Sequence, residues 1–344
     1  MPESKVAVVI LNWNTHSMLE QFLPDVLKNS NQPGVKVVVA DNGSTDGSQE
    51  LVQEKFPDVS LIRLDKNYGF AGGYNRALQQ IDATYSVLLN SDVIPSPDWL
   101  TPLINHMEST PDCAACVPKI KDMKNPEMFE YAGAAGGFID IWGYPFCRGR
   151  IFDNIEKDHQ QYNEAGDILW GSGAALLVRT GEFNLSGGLD EHFFAHMEEI
   201  DWCWRMKNRG KSIYYVPQSE VFHLGGGTLN AMSPHKTYLN FRNNLFMLYR
   251  NLPPNKLRKT ILTRLFLDGV AAIKFLVSDG FEHSRAVCRA HRDYFKRVPE
   301  LRKERNILLK NVTTTTHAEI YPQSIIMIFF LRGMKRFSEL NFKN

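Results

Sequence analysis

"YSVLLNSDVIPSPDWL" occupies residues 85–100, and its largely apolar run, Tyr85–Leu89, stops at Asn90-Ser91-Asp92 before two prolines, Pro95 and Pro97. A short apolar run with polar ends reads as a strand buried on both faces, the kind that parallel sheets use. The same unit recurs upstream: "KVAVVILNWN" (5–14), "VKVVVADNGS" (35–44) and "VSLIRLDKN" (59–67) are strand-like runs that end in polar residues. Between them, "SMLEQFLPDVLKNS" has helical spacing broken by Pro24, while "SQELVQEKF" (48–56) and "AGGYNRALQQI" (71–81) read as helices. Strands alternating with helices predict an α/β fold with a mainly parallel sheet between helices. Ligands of such sheets bind at the carboxyl ends of the strands. Asn12-Trp13-Asn14, Asp41-Asn42-Gly43-Ser44, Asn67-Tyr68-Gly69 and Asn90-Ser91-Asp92 all fall at such ends. Turn chemistry explains any one of these clusters; four in succession predict one shared pocket.

Further on, residues 118–168 are irregular and rich in glycine and aromatics, and read as an excursion over the site with a hairpin. "GDILWGSGAALLVRT" (166–180) holds another buried strand, and "HMEEIDWCWRMKNRG" (196–210) a helix closed by Gly210. "KSIYYVPQSEVFHLGGGT" (211–228) reads as a strand, a turn and a short strand ending at His223 and three glycines. After about residue 234 the pattern turns helical and then basic, in "HSRAVCRAHRDYFKRVPELRKER" (283–305). The expected organisation is a catalytic domain over 1–233 with a packed helical region over 234–344.

A net charge of +1 over 344 residues gives no reason to expect a nucleic-acid partner. The most apolar piece of the tail, "SIIMIFFL" (324–331), is far short of the ~20 residues that span a bilayer. Five cysteines, an odd number, and an N-terminus without leader character predict reduced thiols and a cytoplasmic location. Cys113 and Cys116 form a CxxC without the second pair a zinc ribbon needs, and read as two small buried apolar residues.

Several residues carry chemistry. A carboxylate at a strand end, as at Asp92, can bind Mg²⁺ or Mn²⁺ shared with substrate phosphates, with Asn90 supporting it; the competing reading is an Asx turn before the prolines. "ADNGSTDGS" (40–48) offers Asp41, Asn42, Ser44 and Asp46 to a nucleotide, or Thr45 or Asp46 as a helix cap. "NYGFAGGYNRAL" (67–78) lacks the G-x-G-x-x-G spacing of a dinucleotide site. Glu198, Glu199 and Asp201 crowd a helix start among Phe193, Phe194, Met197, Trp202 and Trp204, where burial raises carboxyl pKa values toward the range of a general base. Glu198, Asp201 and Arg205 share one helix face as a candidate ion-pair set, leaving Glu199 turned toward a substrate. His223 is either a packed histidine or a further metal ligand.

In their order along the chain, "VVILNWN", "ADNGSTDGS", "NYGFAGGYN", "LLNSDV", "GSGAALLVR", "GGLDEHFFAHMEEIDWCWR" and "VFHLGGGT" resemble the family 2 inverting glycosyltransferases of GT-A fold, and among them the rhamnosyltransferase-like enzymes of bacterial cell-surface polysaccharide synthesis. The resemblance covers about residues 5–250; the tail is similar to extensions of Bacteroidetes-type members. Residues 256–310 mix apolar faces with Arg, Lys and His, which reads either as helices lying on an anionic membrane surface, at the inner face of the cytoplasmic membrane, or as an ordinary packed helical appendage. The resemblance implies a nucleoside-diphosphate sugar donor (dTDP- or UDP-linked), a glycan or lipid-linked acceptor, and Mg²⁺ or Mn²⁺. It also implies residue roles. Asn12, Asn14, Asp41, Asn42, Ser44, Asn67, Gly69, Asn75 and Asn90 would line the nucleotide cleft, with Arg242 and Asn243 at the diphosphate. Asp92 and His223 would hold the metal, Trp170, Gly171, Ser172 and Glu198 would border the acceptor, and Glu199 would be the catalytic base. Two positions depart from the family pattern: Asn90 replaces the first acid of its DxD motif, and Glu199 replaces the Asp of its E-D pair, which makes Asp201 the next candidate base. A nucleotidyltransferase and an inactive sugar-nucleotide-binding partner are the competing functions; the first would want a basic glycine-rich segment that "LNWNTHS" does not supply.

Overall fold

A strand returned to its sheet by a helix lies parallel to its predecessor, and the first third of the chain is built this way. In the computed structural model, which describes residues 4–225 and 233–342, the order is β1 (Ser4–Asn12), α1 (His16–Asn29), β2 (Val35–Asp41), α2 (Ser48–Lys55), β3 (Ser60–Arg63), α3 (Gly69–Leu78) and β4 (Ala83–Asn90). There follow β5 (Val93–Pro95), α4 (Leu100–Ser109), β6 (Cys113–Asp122), four short strands β7 (Gly137–Asp140), β8 (Pro145–Cys147), β9 (Arg150–Ile151) and β10 (Asn154–Ile155), then β11 (Gly166–Asp167), β12 (Ala175–Arg179), α5 (Thr180–Leu185), α6 (Glu198–Asn208) and β13 (Ser212–His223). The C-terminal part comprises α7 (Pro234–Asn251), α8 (Pro254–Ser278), α9 (Phe281–Leu308), β14 (Ile320–Tyr321) and α10 (Ile325–Leu331).

The central sheet has the order β11-β13-β6-β12-β4-β1-β2-β3, with β5 beside β13. β3, β2, β1 and β4 are parallel, and β12 then runs antiparallel between β4 and β6. The chain winds outward from β1 through β2 to β3 and then crosses back by α3 to β4 on the other side of β1, and this reversal opens a crevice at the carboxyl ends of β1 and β4. Alternation along β1 sends Val6, Val8 and Ile10 to the core under α1 and α4, and Ala7 and Val9 to the core under α3 and α6. Cys113 and Cys116 are free, buried thiols on β6, and burial pushes Cys113 up to about 11.

Four expectations change. Pro24 does not break α1, which runs unbroken over 14 residues; its ring faces solvent, where water reaches the carbonyl it leaves unpaired. Residues 212–223 form one strand, and in place of the expected turn there is a bulge where the pairing with β6 slips between Val216 and Glu220. The excursion after β6 folds into a second sheet of order β10-β9-β8-β7-β14. The tail is therefore not purely helical, since β14 pairs parallel with β7 and Asp140 accepts a bond from Ile325 N (2.9 Å).

Candidate active site

The register places Asn12 opposite Asp41 and Leu11 opposite Asn90, so three of the polar strand ends meet by construction. Asn12 and Asp41 are fully buried. Asn12 Nδ2 donates to Asp41 Oδ2 (2.9 Å) and Ser44 Oγ (3.0 Å), while Asp41 Oδ1 accepts from Ser44 N (3.0 Å) and Gln49 Nε2 (2.7 Å). Asn14 takes a left-handed backbone (φ 52°) and accepts from Thr45 N (2.8 Å). Asn42 ties in the fourth cluster: its Nδ2 donates to Asn67 Oδ1 (3.1 Å) and Gly69 O (3.1 Å), and its Oδ1 accepts from Tyr68 N (3.0 Å). Gly43 makes that approach possible, because a Cβ there would sit 2.6 Å from Lys66 Cα at a φ of +75°. Asp46 serves two helices, accepting from Ser48 N (3.2 Å) and from His16 N (2.9 Å). Asn75 faces elsewhere: both ends of its amide are bonded to the backbone of Leu189 (2.7 and 2.9 Å).

β5 pairs with the end of β13 and brings His223 to Asp92. His223 Nε2 lies 3.2 Å from Asp92 Oδ1 and 3.4 Å from Asn90 Nδ2. Both Asp92 and His223 are buried. On its other side His223 Nδ1 lies 3.4 Å from Glu130 Oε1, too poorly aligned for a hydrogen bond. Burial, the largest single influence, lowers the His223 pKa, but the Asp92 and Glu130 carboxylates outweigh it and hold it up at about 10. Two ligands 3.2 Å apart match neighbouring corners of an octahedral ion with bonds of ~2.1 Å, and a carboxylate with an imidazole suits Mg²⁺ or Mn²⁺. The pair therefore fits such an ion. Sequence reading missed Glu130, because nothing in the spacing of "FEYAGAAGG" marks it. Of the three glycines after His223, Gly226 and Gly227 lie outside the described residues.

The second acidic group sits at the start of α6. Phe194, His196 and Met197 have φ of 66°, 68° and 75°, a left-handed run unusual for such side chains. Asn243 holds it: its Nδ2 is within 2.8–2.9 Å of the carbonyls of Phe193, Ala195 and His196. Arg242 joins in, donating to His192 O (2.9 Å) and Phe193 O (3.0 Å). α6 opens directly from this run. Glu198 and Glu199 each have one buried carboxylate oxygen without a hydrogen-bond partner. Burial pushes Glu199 up to about 7. Burial and then the neighbouring Glu199 charge push Glu198 well above the ordinary carboxyl range.

Glu198 is thus paired with Glu199 and not with the ion-pair set expected for its helix face. That set is Asp201 with Arg205 and, from α7, Arg250. Asp201 is fully buried; its Oδ2 accepts from Arg205 Nε (2.8 Å), its Oδ1 from Arg250 Nε (3.0 Å) and Asn251 Nδ2 (2.8 Å). Arg250 also pairs with Asp190 (2.7 Å) and Glu304. Asp190, His192 and Glu304 form the acidic metal-like cluster found among the described residues, but the Arg250 guanidinium already sits between the two carboxylates.

Because the unfolded chain ionises first, a carboxyl whose pKa is raised by folding costs stability as pH climbs above the unfolded value of 4.5, so Glu198 weakens the fold at high pH and not well below that value, where both states hold the proton. Glu198→Gln is expected to raise the melting temperature at pH 8 by more than ~2 °C, the shift that ~1 kcal/mol gives in a domain of this size, and to leave it unchanged near pH ~3, below both the folded and the unfolded pKa.

The 170–174 segment lies between the two acidic groups. Trp170 is buried and donates Nε1 to Phe138 O (2.9 Å); Gly171 admits no side chain, since a Cβ there would lie 2.3 Å from Val117 Cγ1. Ser172 packs on Gly133, and Ala174 O accepts from Asn90 N (3.0 Å). Beneath it, Cys203 feels both the Gly171 backbone and the Glu199 charge. Gly69 touches Phe194, which closes the ring of contacts between α3 and the left-handed run. Lys236, in the first turn of α7, acts electrostatically on both Glu130 and His196. It too was missed, as one lysine among many.

Residues 7–167 match the family described as glycosyl transferase family 2. The chain is 30% identical over 234 residues to an N-acetylglucosaminyl-diphospho-decaprenol L-rhamnosyltransferase of Mycobacterium tuberculosis, covering 63% of this chain and 75% of that one. It is 23% identical to the rhamnosyltransferase WbbL of Escherichia coli, over 78% of this chain and 98% of the relative. Among solved structures, S. aureus TarS 1-349 in complex with UDP-GlcNAc aligns at TM-score 0.54 and 16% identity, covering 89% of this chain and 87% of that one. GalNAc-T7 with UDP, GalNAc and Mn²⁺ aligns at TM-score 0.58 and 16% identity over 72% of this chain and 48% of that chain. These structures share the GT-A fold, with its parallel strand ends and mixed sheet edge. The chain belongs to glycosyl transferase family 2 and is a glycosyltransferase.

Proposed function

We propose that the protein is a metal-dependent, inverting transferase that moves a hexosyl group, rhamnosyl by likeness to its relatives, from a nucleoside diphosphate to a hydroxyl of a glycan or lipid-linked acceptor. The observation that carries this is Glu199, a carboxyl with an unpartnered buried oxygen and a pKa of about 7, beside the 170–174 segment. Such a group takes a proton at neutral pH. The acceptor hydroxyl loses its proton to Glu199 as its oxygen bonds to the anomeric carbon from the face opposite the diphosphate, and the bond to the diphosphate oxygen breaks. The configuration at that carbon inverts. Asp92 and His223 would hold Mg²⁺ or Mn²⁺, which supplies positive charge to the leaving diphosphate. Glu130 acts on the His223 ring from behind through its charge, at 3.4 Å. Lys236 is the cation best placed to meet the diphosphate, because Arg242 is engaged with carbonyls. The nucleoside lies over Asn12, Asp41, Asn42 and the 67–69 turn, where loop backbone and Asn14 offer the remaining bonds. Asp201 and Asn75 support the site without touching substrate.

A screen of dTDP- and UDP-sugars by thermal shift, with and without Mn²⁺, tests the donor and the ion together. A true donor raises the melting temperature in the presence of Mn²⁺. Asp92→Ala is expected to lose the Mn²⁺-dependent part of that shift. NMR of the product's anomeric centre checks inversion; retained configuration would overturn the mechanism.

A further inference from the structure

α8 exposes one face that none of the described residues covers. Leu262, Phe266, Val270, Ile273 and Val277 recur at i, i+4, i+8, i+11 and i+15, which lines them along one side of the helix. Their exposure runs from 51% for Val270 to 84% for Val277, far above that of ordinary helix residues packed on a domain. α10 extends the patch: Met327, Phe330 and Leu331 are each more than half exposed, and Lys274 of α8 stands 5.5 Å from the centre of the Phe330 ring. Scattered apolar residues need no explanation, but a contiguous face of this size marks an interaction surface.

Charge identifies the partner. Residues 234–344 hold 21 Lys and Arg against 8 Asp and Glu, a net +13, whereas residues 1–233 hold 18 against 30, a net −12. The near-neutral total conceals a strongly dipolar molecule. Basic groups flank the stripe and reach water: Arg258, Lys259 and Lys274 on α8, and Arg332 and Lys335 just after α10, are all exposed. An apolar stripe bordered by Lys and Arg is the pattern of a helix that lies in the headgroup region of an anionic bilayer. Among the described residues no helix is long and apolar enough to cross one. The position suits the chemistry as well. Phe275 packs on Phe241 (ring centres 6.0 Å apart) and Thr237 bonds His283 (2.9 Å), so the far end of the stripe adjoins the first turns of α7, where Lys236 lies.

We infer that the α8–α10 face docks on the surface of an anionic phospholipid bilayer, with the apolar stripe at the boundary between headgroups and acyl chains and the flanking lysines and arginines on lipid phosphates. The inference uses the lipid-linked acceptor of the proposed function only as a reason for such a face. The test needs neither donor nor acceptor: the full chain is sedimented with phosphatidylcholine vesicles, with and without phosphatidylglycerol. Binding is expected to phosphatidylglycerol vesicles, to fall ~10-fold or more in Phe266→Asp/Ile273→Asp, and to lose its preference for anionic lipid in Lys259→Glu/Lys274→Glu. Both variants should keep the parent's circular dichroism and nucleotide binding, since these side chains are exposed. Absence of binding, or equal binding by parent and Phe266→Asp/Ile273→Asp, overturns the inference. So does a dimer in light scattering that the same substitutions dissolve, which would give the face to a second copy of the chain. Because transfer is not the readout, failure here leaves the transferase reading standing, and failure of that reading leaves vesicle binding unaffected.

Discussion

Glu199→Gln is expected to lower the transfer rate by ~10²–10⁴, the usual contribution of a positioned general base, while nucleotide binding and the melting temperature at pH 8 stay at or above the parent's. The amide keeps the shape of the carboxyl but cannot accept the acceptor's proton. The Glu199 Oε2 atom has no partner to lose, and the backbone N–H groups of Glu199 and Ile200 that favour the carboxylate can still donate to the amide oxygen. The pH profile provides a second check. With Glu199 at about 7, only its ionised form is competent, so kcat/KM should climb tenfold per pH unit below that value and level off above it. A parent profile flat from pH 5 to 8, or a Glu199→Gln enzyme with full activity, would remove Glu199 as the base.

Asp201→Ala should behave in the opposite way. Removing one partner from a buried ion-pair network costs ~3–5 kcal/mol, because the remaining charges stay buried without compensation. Here two guanidiniums, Arg205 and Arg250, and the Asn251 amide lose their shared acceptor at once. The expected outcome is a large fall in the urea midpoint and in soluble yield, with nucleotide binding retained by the fraction that folds. Full stability combined with abolished transfer would instead make Asp201 the base and overturn the division of labour between the two acids. Urea denaturation of the two variants side by side separates a chemical carboxylate from a structural one.

The parallel half of the sheet was legible because each strand is a buried run closed by polar residues, and parallel register then forces Asn12, Asp41 and Asn90 to one edge. Motif order alone pointed to Asp92, His223 and Glu199, and the fold brings the first two to within a hydrogen bond of each other. What the sequence concealed depends on contacts between distant segments. Glu130 matters only because β6 and β13 run side by side, and Asn243 only because α7 passes the 193–197 carbonyls. Arg242 looked like a phosphate ligand, since an arginine's identity does not reveal whether backbone carbonyls have already engaged its donors. Glu198 was assigned to the wrong neighbours because helix spacing gives the face of a residue but not the depth of its burial. The bulge at Pro217 and the strand contributed by the tail are likewise tertiary decisions that no local pattern records.

The Asn243 amide also bears on how this enzyme can be recombined with its relatives. The nominal join between the two halves, at residues 233 and 234, lies upstream of the side chain that fixes the backbone leading to Glu199. A chimera spliced there would inherit Glu199, the proposed base, from one parent and its bracket from another. If the new helix lacks the amide, the Ala195 and His196 carbonyls lose this donor, Phe193 O keeps only its other partners, and the left-handed run is free to relax, shifting the Glu199 carboxylate. Specificity grafts in this fold should therefore exchange residues through Asn251 as one block, so that Asn243, Arg250 and Asn251 travel with the loop and helix they hold in place.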